Sequence, residues 1–418
     1  MKSDKIEGLQ ITGFFGQSQL KEKGLQEGDW ILEYNNEKVT SKAQLKDLEL
    51  KYQHLNNIIL KVQKVESEEY FQIWPGELGV YLAERMESPK VLSDAKRIEK
   101  IERLEKKTGL ENTFFGSLVN ILRFYKININ FNNLVGLSSF QFRIQFDENF
   151  SRENLDPTEG FNCAELFFKN HNIKFKQIKK SKNDKIQEEI IVSIDKKIPV
   201  LSRNLFGKNE WGIIAGYQKK GEELFCRSYS DKTIDYSIAP QKPNQVIIFE
   251  NQFKKTQFQE NEEQFIKSLD NAKFMLSSKN FGKYFAGNLA LEKWQKILEN
   301  EDFFTKLSDK KVYKIFKNNK LFFNHYSFQF RIAVDYLESI VKLFPESKEH
   351  LKRLAKFYRA ESKILNDCQK YIPADLDEDL RKFWTQQYRG NEAVALIKIQ
   401  KKNMEILRIM EKLPLLNY

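Results

Sequence analysis

The stretch from Thr113 to Ile144, TFFGSLVNILRFYKININFNNLVGLSSFQFRI, places the tightest constraint on the fold. Leu118, Ile121, Leu122 and Tyr125 recur at three- and four-residue spacing, the signature of one buried helix stripe. Beyond them, Phe140, Phe142 and Ile144 alternate, which predicts an extended segment with one face in a core. A helix that hands over to a strand within about thirty residues calls for a mixed α+β architecture. At 418 residues the chain is long for a single core, so two or three domains are expected, and 41% hydrophobic residues suffice to fold them.

No apolar run reaches the roughly eighteen residues of a membrane helix. The segment MKSDKIEGLQ lacks the apolar core of a signal peptide, so a cytoplasmic protein without a membrane partner is expected. Cys163, Cys226 and Cys368 lie far apart with no CxxC pair, which predicts neither a disulfide framework nor a thiolate metal site; no metal or cofactor is expected. The net charge of +11 raises nucleic-acid binding as a third function class. Lys is spread through the chain among 58 acidic residues, with local clusters only at Lys174 to Lys185 and Lys398 to Lys402, and a solvated surface accounts for that pattern.

Residues 8 to 82 read as one module. GLQITGFF is a strand, Gly24-Leu25-Gln26-Glu27-Gly28-Asp29-Trp30-Ile31 a turn entering a strand, and TSKAQLKDLELKYQ a helix capped by Thr40 or Ser41. IILKVQK and YFQIW follow as strands, and Trp30 and Trp74 are expected in the core. This order, with Gly24, Leu25, Gly28, Asp29, Ile31, Asn36 and Val39, resembles a PDZ domain of the circularly permuted bacterial type. The resemblance implies a small β-sandwich or barrel with a capping helix over residues 1–84. It also implies a groove between an edge strand and that helix, where a peptide C-terminus adds as a strand. Leu78-Gly79-Val80 fits the loop whose backbone N–H groups hold the carboxylate, and Ala43, Leu45 and Leu48 would line the pocket for the last side chain.

Residues 85–110 read as a connector helix, started by Ser88-Pro89, stopped by Gly109, and carrying Val91, Ala95, Ile98, Ile101 and Leu104 on one side. Across 111–250, LVNILRFYKI and GLSSFQFRI resemble papain-like transferases related to the butirosin-biosynthesis protein H N-terminal domain, and the bacteriocin-processing cysteine peptidases. In such proteins a Cys near the N-terminal end of the first core helix is the nucleophile, a place where the helix dipole favours a thiolate. Here that place falls on Thr113, or on Ser117 in a register one turn later. The strand WGIIAGY would open with the catalytic His, but Glu210 and Trp211 stand there, and the orienting Asp of the next strand is replaced by Cys226-Arg227-Ser228. The four His are His54, His171, His325 and His350, and none lies on the expected strand; His325, in FFNHYSFQF at the expected start of a helix, suits a cap or a surface position.

Residues 251–418 read as a helical bundle, with segments near 262–278, 281–298, 325–343, 347–371 and 376–412 broken at Pro345 and Pro373. Leu351, Leu354, Tyr358, Ile364, Leu365 and Cys368 would share one face. The expected function is binding without catalysis, the PDZ-like module taking a peptide or protein C-terminus and the papain-like cleft taking an acyl or peptide group. The alternative is an acyltransferase or peptidase-like hydrolase with Thr113 or Ser117 as nucleophile and Glu210 as base.

Overall fold

The computed structural model describes residues 8–14, 18–64, 67–76, 78–84, 91–104, 112–179, 185–231, 233, 235–258, 261–369 and 380–416. It is a mixed α and β structure with antiparallel sheets and a C-terminal helical region. The first unit runs β1 (Leu9–Phe14), α1 (Gln19–Glu22), β2 (Trp30–Tyr34), β3 (Glu37–Lys38), α2 (Lys42–Lys51), β4 (Ile58–Gln63), β5 (Glu68–Ile73) and β6 (Val80–Glu84). Its sheet has the order β5-β4-β2-β1-β6, with β3 paired to β2. Asn35 and Asn36 join β2 to β3 with φ of 51° and 64°, a two-residue turn that Asn tolerates because its side chain can support a left-handed backbone. Helix α2 starts where Ser41 accepts a hydrogen bond from the Gln44 backbone N–H, one of the two expected caps.

Alternation along β1 and β4 sends Leu9, Ile11, Ile58, Leu60 and Val62 inward, where they meet Ile31, Val39, Leu45 and Leu48. This core is separate from the second one, which collects buried side chains from Ile98 to Leu415. Trp30 joins the buried residues as expected, whereas Trp74 is 71% exposed. Trp74 lies just past β5, where the Gln19 amide bonds both its backbone N–H and its carbonyl, so the backbone is fixed while the indole projects outward.

The connector helix is not present over 91–104. That stretch contains β7 (Lys96–Arg97), paired antiparallel with a later strand, and Ile98, Ile101 and Leu104 are buried against the second core. Tertiary contact outweighs local helical periodicity here: Tyr236 Oη bonds both the Ile98 carbonyl and the Ile101 N–H, and Arg97 pairs with Asp235 at 2.9 Å. Ser88, Pro89 and Gly109 lie outside the described residues.

Next come α3 (Thr113–Phe124), α4 (Phe131–Leu137), β8 (Gln145–Phe146), α5 (Cys163–Asn170), β9 (Phe175–Lys179), α6 (Lys185–Asp195), β10 (Val200–Arg203), β11 (Trp211–Gln218), β12 (Glu223–Arg227), β13 (Ser237–Ile238) and β14 (Gln245–Phe249). The second sheet is ordered β13-β12-β11-β10-β14-β9, all antiparallel, with β7 also on β11. Strand β11 is buried along its whole length because α3 and α6 both contact it, which explains the apolar run from Trp211 to Tyr217. The alternation of Phe140, Phe142 and Ile144 does not form a strand: α4 precedes a 3₁₀ turn at Phe140–Phe142, and all three side chains are buried. Gln141 and Arg143, the polar residues between them, are buried too and bond backbone carbonyls, so the alternation marks no wet face and does not tell helix from strand.

The helical region comprises α7 (Glu262–Ser277), the hairpin β15 (Asn280–Phe281) and β16 (Tyr284–Ala286), then α8 (Gly287–Glu299), α9 (Glu301–Thr305), α10 (Asp309–Ile340), α11 (Lys348–Gln369), α12 (Leu380–Phe383) and α13 (Gln386–Glu411). β16 also pairs with β8, and α10 packs on α4 and the 140–142 turn, so this region and the second sheet share one core. Leu351, Leu354, Tyr358 and Leu365 face that core, with Ile364 and Cys368 packed against it. Pro345 breaks the helices as expected, and Pro373 lies outside the described residues. No helix among the described residues is long and apolar enough to cross a membrane.

Candidate functional site

Helix α3 opens at Asn112, whose side-chain oxygen accepts from the Phe114 N–H and whose amide nitrogen donates to the Leu155 carbonyl. Thr113 is the first helical residue, and its Oγ1 accepts a hydrogen bond from the Trp211 backbone N–H at 3.1 Å. The indole of Trp211 meets Phe114 edge-on at 5.1 Å and donates from Nε1 to Asp156 Oδ2 at 2.8 Å. Apolar stacking and one charge-assisted bond thus lock the start of β11 onto the start of α3.

A cavity of about 290 Å³ opens at this junction. Thr113, Asp156, Arg203, Glu210, Trp211, Leu321 and His325 are among the residues lining it, so the structure brings Thr113 and Glu210 into one chamber. The Glu210 carboxylate accepts from Ser230 Oγ at 2.8 Å. Ser117, one turn further along α3, is fully buried and its Oγ has no hydrogen-bond partner among the described residues, so the later nucleophile register leads into the core. Cys226 is also fully buried, and burial pushes its thiol up, away from thiolate formation. Beside it, Arg227 donates to the Ile101 and Asp235 carbonyls and stacks on Tyr236, as a staple for the 98–101 segment.

Sequence reasoning placed His325 at a helix start or on the surface. It lies in the middle of α10, 8% exposed, with its ring against Phe140 and Tyr326. Burial, with the Arg143 charge nearby, pushes the imidazole down to about 3, so it is neutral near pH 7 and a weak base. The buried polar frame of the chamber also went unread. Asp156 Oδ1 accepts from the Thr158 N–H and hydroxyl at 2.9 and 2.6 Å, Gln245 Nε2 donates to Thr158 Oγ1, and Arg203 lies 3.4 Å from Asp156 Oδ2. The available signal was Asp156-Pro157-Thr158, where an Asp can bond the N–H two residues on.

A second candidate site lies on the first unit. Strand β6 ends its sheet, paired to β1 through Phe14↔Val80, Ile11↔Leu82 and Leu9↔Glu84, and α2 contacts β6. Leu78-Gly79-Val80 leads into it: Gly79 has φ 67°, and the Leu78 carbonyl accepts from Ser18 Oγ at 3.0 Å. Leu45 and Leu48 are buried in the core of this unit, whereas Ala43 is exposed, so the three do not share one face of α2.

No model of a known protein family matches this chain, and no curated protein sequence matches it.

Proposed function

We propose that this chain is a non-catalytic binding protein, a PDZ-like module joined to a papain-like unit that keeps a cleft and lacks the means to activate a nucleophile. One observation carries the binding half. An edge strand, β6, follows a glycine held at positive φ and runs beside a capped helix, the arrangement in which a chain end adds as one more strand and its carboxylate meets backbone N–H groups.

The cleft supports the non-catalytic half. Thr113 Oγ1 accepts from a backbone N–H, and Glu210 receives the Ser230 hydroxyl. The imidazole sharing the chamber is a weak base. A hydroxyl nucleophile needs a base hydrogen-bonded to it, and among the described residues Thr113 Oγ1 bonds only the Trp211 N–H. The hydrolase or acyltransferase reading keeps one point in its favour, since Thr113, Glu210 and His325 line the same chamber.

Fluorescence polarisation with a peptide library, each sequence carrying a free or an amidated C-terminus, tests the binding half. Binding on the order of micromolar is expected for free ends. It should be lost on amidation, because the amide removes the charge that the N–H groups favour. Equal binding of both forms, or of neither, contradicts a carboxylate site at β6.

A further inference from the structure

The inner chamber continues outward. A larger cavity of about 930 Å³ shares Arg152 and Asn209 with it, and its wall includes Lys283, Phe285, Lys310, Tyr313, Lys314 and Lys317. Of the carboxylates lining the two cavities, Glu148 has no hydrogen bond or ion pair among the described residues, and the others are committed. Asp147 accepts from the Asn149 and Ser151 N–H groups and from Asn154, Glu153 pairs with Lys283 at 3.1 Å, Asp156 is held as described, and Glu210 receives Ser230. Of the basic groups, Lys283 is taken up by Glu153 and Lys317 lies over the Tyr313 ring at 4.2 Å, but most have no carboxylate partner. Lys208, Lys310, Lys314 and Lys317 form no ion pair among the described residues, and Arg152 bonds only the neutral Asn318 side chain, at 2.9 Å.

Helix α10 makes this excess of charge conspicuous. Lys310, Lys314 and Lys317 fall four and three residues apart on one face, spanning about 10 Å at the α-helical rise. Like charges at that spacing repel, and cations in a helix's first turns oppose its dipole. Asp309, the acidic residue of the first turn, is turned to Arg381 at 2.6 Å. On other helices some exposed lysines sit beside a carboxylate one turn away, as in Lys169–Glu165, Lys267–Glu263, Lys296–Glu292 and Lys363–Asp367. In the adjoining inner chamber, His325 is more than nine-tenths buried and its Nε2 meets no hydrogen-bond partner among the described residues. A buried polar atom left open beside a cavity is a place where a ligand completes the hydrogen bonding.

We propose that this trough binds a phosphorylated small molecule. Its phosphoryl charges lie along Arg152, Lys310, Lys314 and Lys317, and its uncharged end reaches the inner chamber between Trp211 and Leu321, toward His325. The guanidinium fork of Arg152 and the point charges of the lysines are the groups that hold closely spaced phosphoryl oxygens. The volume of the trough suits a small molecule. The site is independent of the β6 edge and stands whether or not that edge captures chain ends.

Isothermal titration of the full chain with tripolyphosphate at low salt tests the assignment. Saturable binding is expected, weakened about tenfold or more by Arg152→Ala and by Lys310→Ala/Lys314→Ala/Lys317→Ala together, and unchanged by Lys398→Ala/Lys401→Ala on the basic cluster of α13. The ligand-free triple variant should melt no lower than the parent, since it sheds the repulsion along α10, and that separates lost binding from lost folding. No saturable binding, or equal weakening by both sets of substitutions, overturns the site. Citrate binding as tightly as tripolyphosphate overturns the phosphoryl assignment, and tighter binding of a short single-stranded oligonucleotide through the same lysines overturns the small-molecule one.

Discussion

Arg143 shows how much one side chain can organise. It is 2% exposed, and in place of a carboxylate partner it donates to four backbone carbonyls, those of Asn154, Asp156, Glu159 and Phe161, at 2.7 to 3.0 Å, while its guanidinium stacks over Phe140. These bonds gather the loop that presents Arg152 and Asp156 to the trough. Arg143→Met keeps the bulk and removes every donor, leaving several carbonyls buried without a partner. A loss of roughly 3 to 5 kcal/mol is expected in denaturant unfolding, and a loss under about 1 kcal/mol contradicts the staple. Arg143 stood in GLSSFQFRI, so its place was legible in the sequence. Its partners were not, because they are main-chain atoms that any residue could supply.

At the scale of elements, the junction of α4 with α10 depends on close approach. A Cβ added at Gly136 would lie 2.0 Å from the ring of Tyr336, which is fully buried and shares a hydrogen bond with Ser268. Gly136→Ala should therefore destabilise by about 1 to 3 kcal/mol, with thermal melting as the readout; an unchanged melting temperature contradicts the packing. Legibility followed the same physics. Elements with one wet face, such as α2, β4 and α11, announced their period, and Ser41 announced its cap. The 134–142 segment, enclosed on all sides, hid helix behind apparent alternation, and 96–97 joined a sheet because β11 offered it an edge. The chamber was half legible: Thr113 and Glu210 were marked by the resemblance, whereas His325 reaches it from α10, far away in sequence, and Arg203, at the end of β10, belongs to no motif.

Across the whole molecule, the helical region carries buried carboxyls that couple folding to pH. Glu361 is fully buried with neither oxygen hydrogen-bonded among the described residues, and burial raises its pKa well above the ordinary range. Burial likewise pushes Glu392 up to about 8, although Trp384 Nε1 donates to it. A carboxyl whose folded pKa lies above its unfolded value holds a proton that the unfolded chain releases, so stability falls as pH rises through that interval. For Glu392 the interval runs from about 4.5 to about 8. Unfolding free energy should decline over this range, and Glu361→Gln with Glu392→Gln should flatten the decline; a slope unaltered by the double variant contradicts the assignment. The central claim is that a cleft of this shape binds without reacting. Mass spectrometry of the native chain after exposure to fluorophosphonate and thiol-directed probes tests it most directly. The account predicts no adduct at Thr113, Ser117 or Cys226. A stoichiometric adduct on Thr113 that disappears in Thr113→Ala would contradict it.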